Sequence, residues 1–170
     1  MTNTRYIPAK EVAALIRKDL KAAFPSITFS VVTRHGRTVN VDWIDGPTTK
    51  QVDDLIGWYA GADFDGMIDL KSYHNSILNG EKVSFGSDYI FTRRSYSHKV
   101  CEQVANTINS KYDFKVEVKV NSYGSSIELV TWNSNNQYWI NEELRNYTAQ
   151  PEAAAKPAAK QQEYPEALFL

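Results

Sequence analysis

The stretch at residues 39–69 constrains the fold most, because it reads as a strand, a tight turn and a helix in immediate succession. Val39, Val41 and Trp43 alternate with polar residues, which predicts a half-buried strand. Asp45-Gly46 then supplies the turn. A chain with this pattern must contain both sheet and helix within one short unit.

Capping residues predict the helix of this stretch over about residues 48–60. Pro47 suits its entry, because an N–H group in the first turn needs no partner within the helix. Thr48 and Gln51 have the spacing of a capping box. Four apolar residues then fall on one helical face: Val52, Leu55, Ile56 and Tyr59. Folding alone explains each of these features, so they indicate architecture and not chemistry.

The order helix–strand–strand–helix occurs twice, at about residues 8–60 and 98–148. The first helix has an apolar stripe of Val12, Leu15, Ile16 and Leu20, and Ser97 is the expected cap of the third helix. An offset of 88 residues carries apolar positions of the first unit onto the second, for example Val12 onto Val100 and Val52 onto Ile140. The first strand of the unit needs an offset of 89. Two units of this pattern would match in part by chance, but agreement of helices, strands and turn favours an internal duplication. We therefore expect an α+β fold in which the two αββα units pack an antiparallel sheet against helices.

The two units and an irregular segment at 61–97 are expected to form one domain, residues 1–148. Residues 149–163 are rich in Ala, Pro, Lys and Gln, which predicts a flexible linker. The final segment, 164–170, contains Tyr164, Leu168 and Phe169. Such an apolar cluster beyond a polar linker is typical of a docking peptide, and the alternatives are that it folds back onto the domain or docks on nothing.

Composition argues against several classes of protein. A formal net charge of −1 argues against a generally basic protein that coats nucleic acid, but it does not exclude a local basic patch. The single cysteine, Cys101, excludes an intramolecular disulfide, and with three scattered histidines it cannot build a usual zinc site. No apolar run approaches membrane-spanning length. We expect a reduced cytoplasmic protein that needs no cofactor.

Several short segments carry a resemblance to a known family: Trp43-x-Asp45-Gly46-Pro47, Phe64-Asp65-Gly66-Met67-x-Asp69, Asp88-Tyr89-Ile90-Phe91, Arg93-Arg94 and Tyr96-Ser97. Over roughly residues 10–100 the chain resembles a large polyvalent protein-associated domain, the type numbered twenty-nine. Such domains occur in phage and plasmid proteins. The resemblance implies an accessory protein in the bacterial host cell that binds a host or phage protein, with counter-defence as a role. It implies no catalytic residue.

Two sets of residues are candidates for binding. Trp58 lies off the apolar stripe of its helix and, with Tyr59 and the tail residues, is a candidate anchor for a protein partner. The alternative function is nucleic-acid binding: Arg93, Arg94 and Lys99 precede or begin the third helix, where a phosphate could be received. Arg34 and Arg37 in a predicted turn would extend that surface.

A second alternative is a metal-dependent enzyme that uses Asp63, Asp65 and Asp69. Closely spaced carboxylates can hold Mg²⁺ or Ca²⁺, but the segment lacks the further ligands of an EF-hand, and turn formation at Asp65-Gly66 explains it equally well. Cys101 is expected to be a buried, inert thiol. No nucleophile elbow, P-loop or zinc-protease motif is present. We therefore expect no catalytic or metal residue, and the sequence leaves the oligomeric state open.

Overall fold

The computed structural model describes residues 4–67, 69–122, 124–130, 134–147 and 162–163. The fold is α+β, as predicted. The α-helices are α1 (Ala9–Ala23), α2 (Thr49–Ile56), α3 (His98–Lys111) and α4 (Ser134–Asn146), and a 3₁₀ turn, Gly57–Tyr59, follows α2. The strands are β1 (Arg5–Ile7), β2 (Phe29–Arg34), β3 (Thr38–Ile44), β4 (Ala62–Asp65), β5 (Leu70–Tyr73), β6 (Asn75–Leu78), β7 (Glu81–Phe85), β8 (Tyr89–Ser95), β9 (Val116–Asn121), β10 (Gly124–Leu129) and β11 (Gln162–Glu163).

The strands form four small sheets, with orders β2-β3-β8, β1-β7-β6-β11, β4-β5 and β10-β9. The expected antiparallel arrangement is only partly correct, because β3 pairs with β8, and β1 with β7, in parallel. Parallel neighbours require a long crossover between them. Here α2 and the strands β4 to β7 supply the crossover, so the segment at 61–97, predicted to be irregular, is the connection that places β8 beside β3.

One core lies between the β2-β3-β8 sheet and the helices α1 and α2. The predicted stripe of α1 is buried through Val12, Ile16 and Leu20. On β3, the face with Val39 and Val41 is buried as the alternation predicted. Apolar side chains of β1 and β7 complete the same core, which makes the first 97 residues largely self-contained.

The turn between β3 and α2 has the geometry that its sequence predicts. Asp45 and Gly46 both adopt positive φ angles, 57° and 66°. The capping box is complete, since Thr48 Oγ1 accepts from the Gln51 N–H and the Gln51 side chain accepts from the Thr48 N–H. The indole of Trp43 donates to the Pro47 carbonyl at 3.0 Å. These bonds fix the direction in which α2 leaves the sheet.

A second core is formed by α3, the β9–β10 hairpin and α4. Ser97 caps α3 by accepting from the Val100 N–H, as predicted. Val104, Ile108 and Ile140 are buried. The hydroxyl of Tyr112 donates to Glu143 across the two helices, and the neighbouring Lys111 holds the pKa of Glu143 below its usual value.

Both units contain helix, hairpin and helix, but the strand register does not follow the predicted offsets. In the first hairpin Val31 pairs with Val41, which the offsets would carry to a pairing of Val120 with Leu129. Val120 instead pairs with Ser125, and Leu129 pairs with Val116. This is a slip of four residues, and an even slip keeps the same side chains on the same face. The internal duplication is therefore not confirmed.

Two predictions concern regions beyond the cores. None of the helices in the described ranges is long and apolar enough to span a membrane.

In the tail, Gln162–Glu163 pairs antiparallel with Asn75 and Ser76 of β6, so these two residues contact the first core region. The remainder of the predicted linker and the docking peptide with Tyr164, Leu168 and Phe169 lie outside the described residues.

Candidate functional site

The β4–β5 hairpin carries four exposed apolar side chains, and the strand register places Phe64 and Tyr73 on one face and Leu70 on the other. Phe64, Leu70 and Tyr73 are each more than half exposed, and Met67 at the tip is 95% exposed. We call these four residues the hairpin surface. Phe64 and Tyr73 share one face of the hairpin, and burying large apolar side chains against a partner is favourable. The hairpin surface is therefore a candidate docking site.

Acidic residues surround the hairpin surface. Asp63, Asp65 and Asp69 are all exposed. Asp65 Oδ1 accepts from the Met67 N–H at 2.9 Å, so it forms the turn, which is the alternative to a metal site that the sequence allowed. Asp63 lies 3.4 Å from the imidazole of His74. Within the described ranges no group of three or more His, Cys, Asp or Glu residues is arranged to hold a metal ion.

A buried carboxylate attaches the hairpin to the rest of the fold. Asp88 is buried, and its Oδ2 accepts from Lys71 Nζ at 2.6 Å and lies 3.4 Å from Arg37 Nη1. The ammonium of Lys71 also lies over the rings of Tyr73 and Tyr89, 4.9 and 5.0 Å from their centroids. The hydrogen bond to Asp88 raises the pKa of Lys71. Lys71 and Asp88 thus join β5 to the start of β8.

The face of the β2-β3-β8 sheet that points away from α1 and α2 is a second candidate surface, here called the open sheet face. The register places its side chains in three rows that cross the strands: Arg34–Thr38–Tyr89, Val32–Asn40–Phe91 and Ser30–Asp42–Arg93. Phe91 is 60% exposed, and its ring stacks on that of Tyr89 at a centroid distance of 6.2 Å and an angle of 22°. The aromatic pair is therefore presented on the sheet surface.

The five predicted nucleic-acid-binding residues do not form one cluster at the start of α3. Arg34 and Arg93 lie on the open sheet face, Arg37 in the adjoining turn, and Lys99 is exposed in the first turn of α3. The inclusion of Arg94 is corrected by the structure. It is only 9% exposed, and its guanidinium donates to the carbonyls of Gly46 and Asp45 at 3.0 and 3.3 Å.

Arg94 instead makes contacts that hold parts of the fold together. Its guanidinium lies 4.9 Å from the ring centroid of Tyr96, whose side chain packs against the second core. Asp45 also accepts from the Ser97 N–H at 2.8 Å, at the cap of α3. Burial lowers the pKa of Arg94. Arg94 and Asp45 therefore link the β3–α2 turn to the start of α3.

The proposed protein-binding pair is corrected in part. Tyr59 is 1% exposed, and its hydroxyl donates to Asp19 at 2.9 Å, so in the folded chain it cannot contact a partner. The sequence had already placed Tyr59 on the apolar stripe of the helix, and that placement is correct. Trp58 is half-buried and packs against Tyr59 and Phe85. Cys101 is buried, as predicted, and burial raises the pKa of its thiol.

The sequence interpretation missed the hairpin surface and the aromatic pair. Phe64 and Met67 were recognised only as marks of a family, and Tyr89 and Phe91 only as part of a strand. A signal was present in β8, because Tyr89, Ile90 and Phe91 are consecutive apolar residues and the period of two places them on both faces of the strand. The contacts of Lys71 and Asp88 had no such signal, since the two are brought together by pairings distant in sequence.

Comparison with known proteins identifies the first core region. A family model described as "Large polyvalent protein associated domain 29" matches residues 7–97, from the end of β1 to the cap of α3. It is a family of phage and plasmid polyvalent proteins, which suggests an accessory role. No curated protein and no solved structure matches the chain. Since the family model covers more than half of the sequence, the chain belongs to the large polyvalent protein associated domain 29 family.

Proposed function

We propose that this chain is a non-enzymatic accessory protein of a phage or plasmid that binds a host or phage protein through the hairpin surface. The observation that carries the proposal is the presence of four large apolar side chains, each more than half exposed, within ten residues of one hairpin. Apolar side chains that stay exposed contribute nothing to the free energy of folding. Covering them with a partner would contribute favourably to the free energy of binding.

The charges of the hairpin define the chemistry of the partner. Asp63, Asp65 and Asp69 are exposed on the same hairpin, Asp63 and Asp65 on the face of Leu70, whereas the lysine of the hairpin, Lys71, is engaged by Asp88. Charged rims steer association and select partners of the opposite sign. The expected partner therefore presents an apolar groove with lysines or arginines at its edge.

The mode of action follows from the absence of assigned chemistry. Asp65, one of the three acids of the metal-dependent alternative, accepts from the Met67 N–H in the turn, and the buried thiol of Cys101 has a raised pKa, which disfavours the reactive thiolate. Binding would act by steric occlusion in the cytoplasm of the bacterial host. Inhibition of a host defence protein is the form of this action that fits a mobile-element accessory protein.

A pull-down from nuclease-treated bacterial lysate tests the proposal. The full chain is compared with a Met67→Ser/Leu70→Ser variant and with a Val120→Ser/Val130→Ser control, which alters two equally exposed apolar residues of the β9–β10 region. We expect one protein to be captured by the wild type and the control and lost from the hairpin variant. Equal capture by all three chains would contradict the proposal.

A further inference from the structure

We propose that the open sheet face binds single-stranded nucleic acid, at a site separate from the hairpin surface. The inference starts from the aromatic pair. Phe91 presents a ring that is 60% exposed, and the half-buried Tyr89, whose ring is inclined by 22° to it and is contacted by Lys71, supports it from the side. Unpaired bases stack on such rings whatever their sequence, because every base has a π-face. Bases within a duplex are already stacked and cannot use a flat platform of this kind.

The cations of the face flank the rings on both sides. Arg34 shares a row with Tyr89, Phe91 occupies the next row, and Arg93 occupies the row after that. Four residues of strand separate the outer rows, which is about 13 Å. Arg37, with an exposed side chain, lies in the turn beyond Arg34. An extended strand whose bases stack on the rings would therefore pass a guanidinium before and after them.

The acids near this face are both neutralised. Asp42 accepts from Arg93 Nε at 2.8 Å, and the buried Asp88 is paired with Lys71 and Arg37. Within the described residues, the ion pairs of Arg37, Lys71 and Arg93 involve two carboxylates, so with Arg34 four cations meet two acids and the surface is locally positive although the chain carries −1. This charge is opposite to that of the hairpin rim. A phosphate backbone complements the sheet, and a basic protein complements the hairpin.

Binding by three or four phosphate contacts predicts a marked salt dependence. For single strands the logarithm of the association constant falls by about 0.7 per contact for each decade of salt. Affinity should therefore drop roughly 20- to 50-fold between about 50 and 200 mM salt. Purely apolar docking of a protein on the same face would weaken far less.

The test is fluorescence anisotropy of a labelled single-stranded oligonucleotide of about twelve nucleotides, as DNA and as RNA, with the matching duplex as comparison. Phe91→Ala is paired with Tyr138→Ala, which removes a ring of similar exposure, 57%, from α4. Arg93→Gln is paired with Arg5→Gln, an exposed arginine that also forms an ion pair, with Glu81. Circular dichroism confirms that each variant is folded.

We expect binding of the single strand to weaken about tenfold or more in Phe91→Ala and to be unchanged in Tyr138→Ala. Arg93→Gln should weaken binding and reduce the salt dependence, and Arg5→Gln should do neither. No binding by the wild type at about 50 mM salt, a preference for the duplex, or equal effects of each variant and its control would overturn the proposal. The proposal would also be overturned if the wild type bound no oligonucleotide but captured a protein that Phe91→Ala failed to capture.

The Met67→Ser/Leu70→Ser variant separates this inference from the proposed function. It should bind the oligonucleotide like the wild type, because Met67 and Leu70 do not lie in the three rows of the open sheet face, and Tyr73, which contacts Lys71, is left unchanged. Oligonucleotide binding without hairpin-dependent protein capture would leave this inference intact and remove the proposed function. The reverse result would remove this inference alone.

Discussion

Arg93 and Arg94 are adjacent in the sequence, and their side chains lie on opposite faces of β8. Arg93 is exposed and pairs with Asp42, whereas Arg94 is buried against the carbonyls of Asp45 and Gly46. The period of two in a strand causes this separation. One arginine is thus available for binding, and its neighbour holds the β3–α2 turn against β8.

The two arginines are therefore predicted to differ in their effect on stability. Replacing Arg94 with Met leaves the buried carbonyl of Gly46 and the partly buried carbonyl of Asp45 without this donor, which should lower the free energy of unfolding by about 2–3 kcal/mol. Arg93→Met breaks only an exposed ion pair, and a loss below about 1 kcal/mol is expected. Urea denaturation of both variants measures the difference. Equal losses of unfolding free energy in the two variants would contradict the structural role of the Arg94 hydrogen bonds.

Gly61 is predicted to tolerate no side chain. A Cβ atom at this position would lie 2.2 Å from the carbonyl oxygen of Phe85, which belongs to the backbone and cannot rotate away. Gly61→Ala should lower the free energy of unfolding by about 1–3 kcal/mol. Gly57→Ala is the matched control, since nothing lies within 4 Å of its Cβ position.

Because Gly57 has a helical conformation, its replacement should leave stability unchanged or raise it by up to about 1 kcal/mol. Thermal and urea unfolding of the two variants provide the comparison. A Gly61→Ala protein as stable as Gly57→Ala would mean that the approach of Gly61 to Phe85 is looser than the structure indicates.

The attachment of the hairpin is predicted to depend on Lys71 and Asp88. Lys71→Met removes the 2.6 Å bond that joins β5 to Asp88. Hydrogen exchange of the amides in β4 and β5 should become faster, because few other contacts of the hairpin are buried. The amides of the β2–β3 ladder serve as an internal control and should keep their protection. Faster exchange in both regions would indicate global destabilisation instead of local release.

Stability is predicted to fall at alkaline pH through two buried groups. Burial raises the pKa of Cys101 above its ordinary 9.0 and that of Tyr59 above its ordinary 10.0. Both groups then ionise more readily in the unfolded chain, so their contribution is complete below those values and is lost as pH rises through them. Urea unfolding at about pH 7 and about pH 10 should show a smaller pH-dependent loss in Tyr59→Phe and Cys101→Val than in the wild type. Identical losses would contradict the assignment.

The local features of the fold were predictable from sequence, because neighbouring residues determine them. The capping box of Thr48 and Gln51, the cap at Ser97 and the stripe of α1 were all confirmed. The pairing of β3 with β8 was not predictable in this way. It joins strands separated by α2 and four short strands, and no periodicity encodes which distant strand becomes a neighbour.

The residues of the candidate site likewise include some that were predictable from the sequence and some that were not. Arg34 and Arg37 were identified as candidates in a predicted turn, and Arg93 as a basic residue that precedes the third helix, although its place on the face of β8 was not predicted. The burial of Arg94 and Tyr59 depends on partners such as Asp45 and Asp19, which lie about 40 or more residues away. The hairpin surface was missed because exposure of an apolar residue follows from the absence of neighbours in three dimensions.

Site-specific photo-crosslinking in the bacterial host tests the central claim most directly. A photoreactive amino acid replaces Met67 at the tip of the hairpin surface in one chain and Val120, on the exposed side of β9, in another. If the hairpin binds a protein, irradiation should join one protein to the chain labelled at Met67 and none to the chain labelled at Val120. Crosslinks of equal yield and pattern from both positions, or none from Met67, would contradict binding through the hairpin surface.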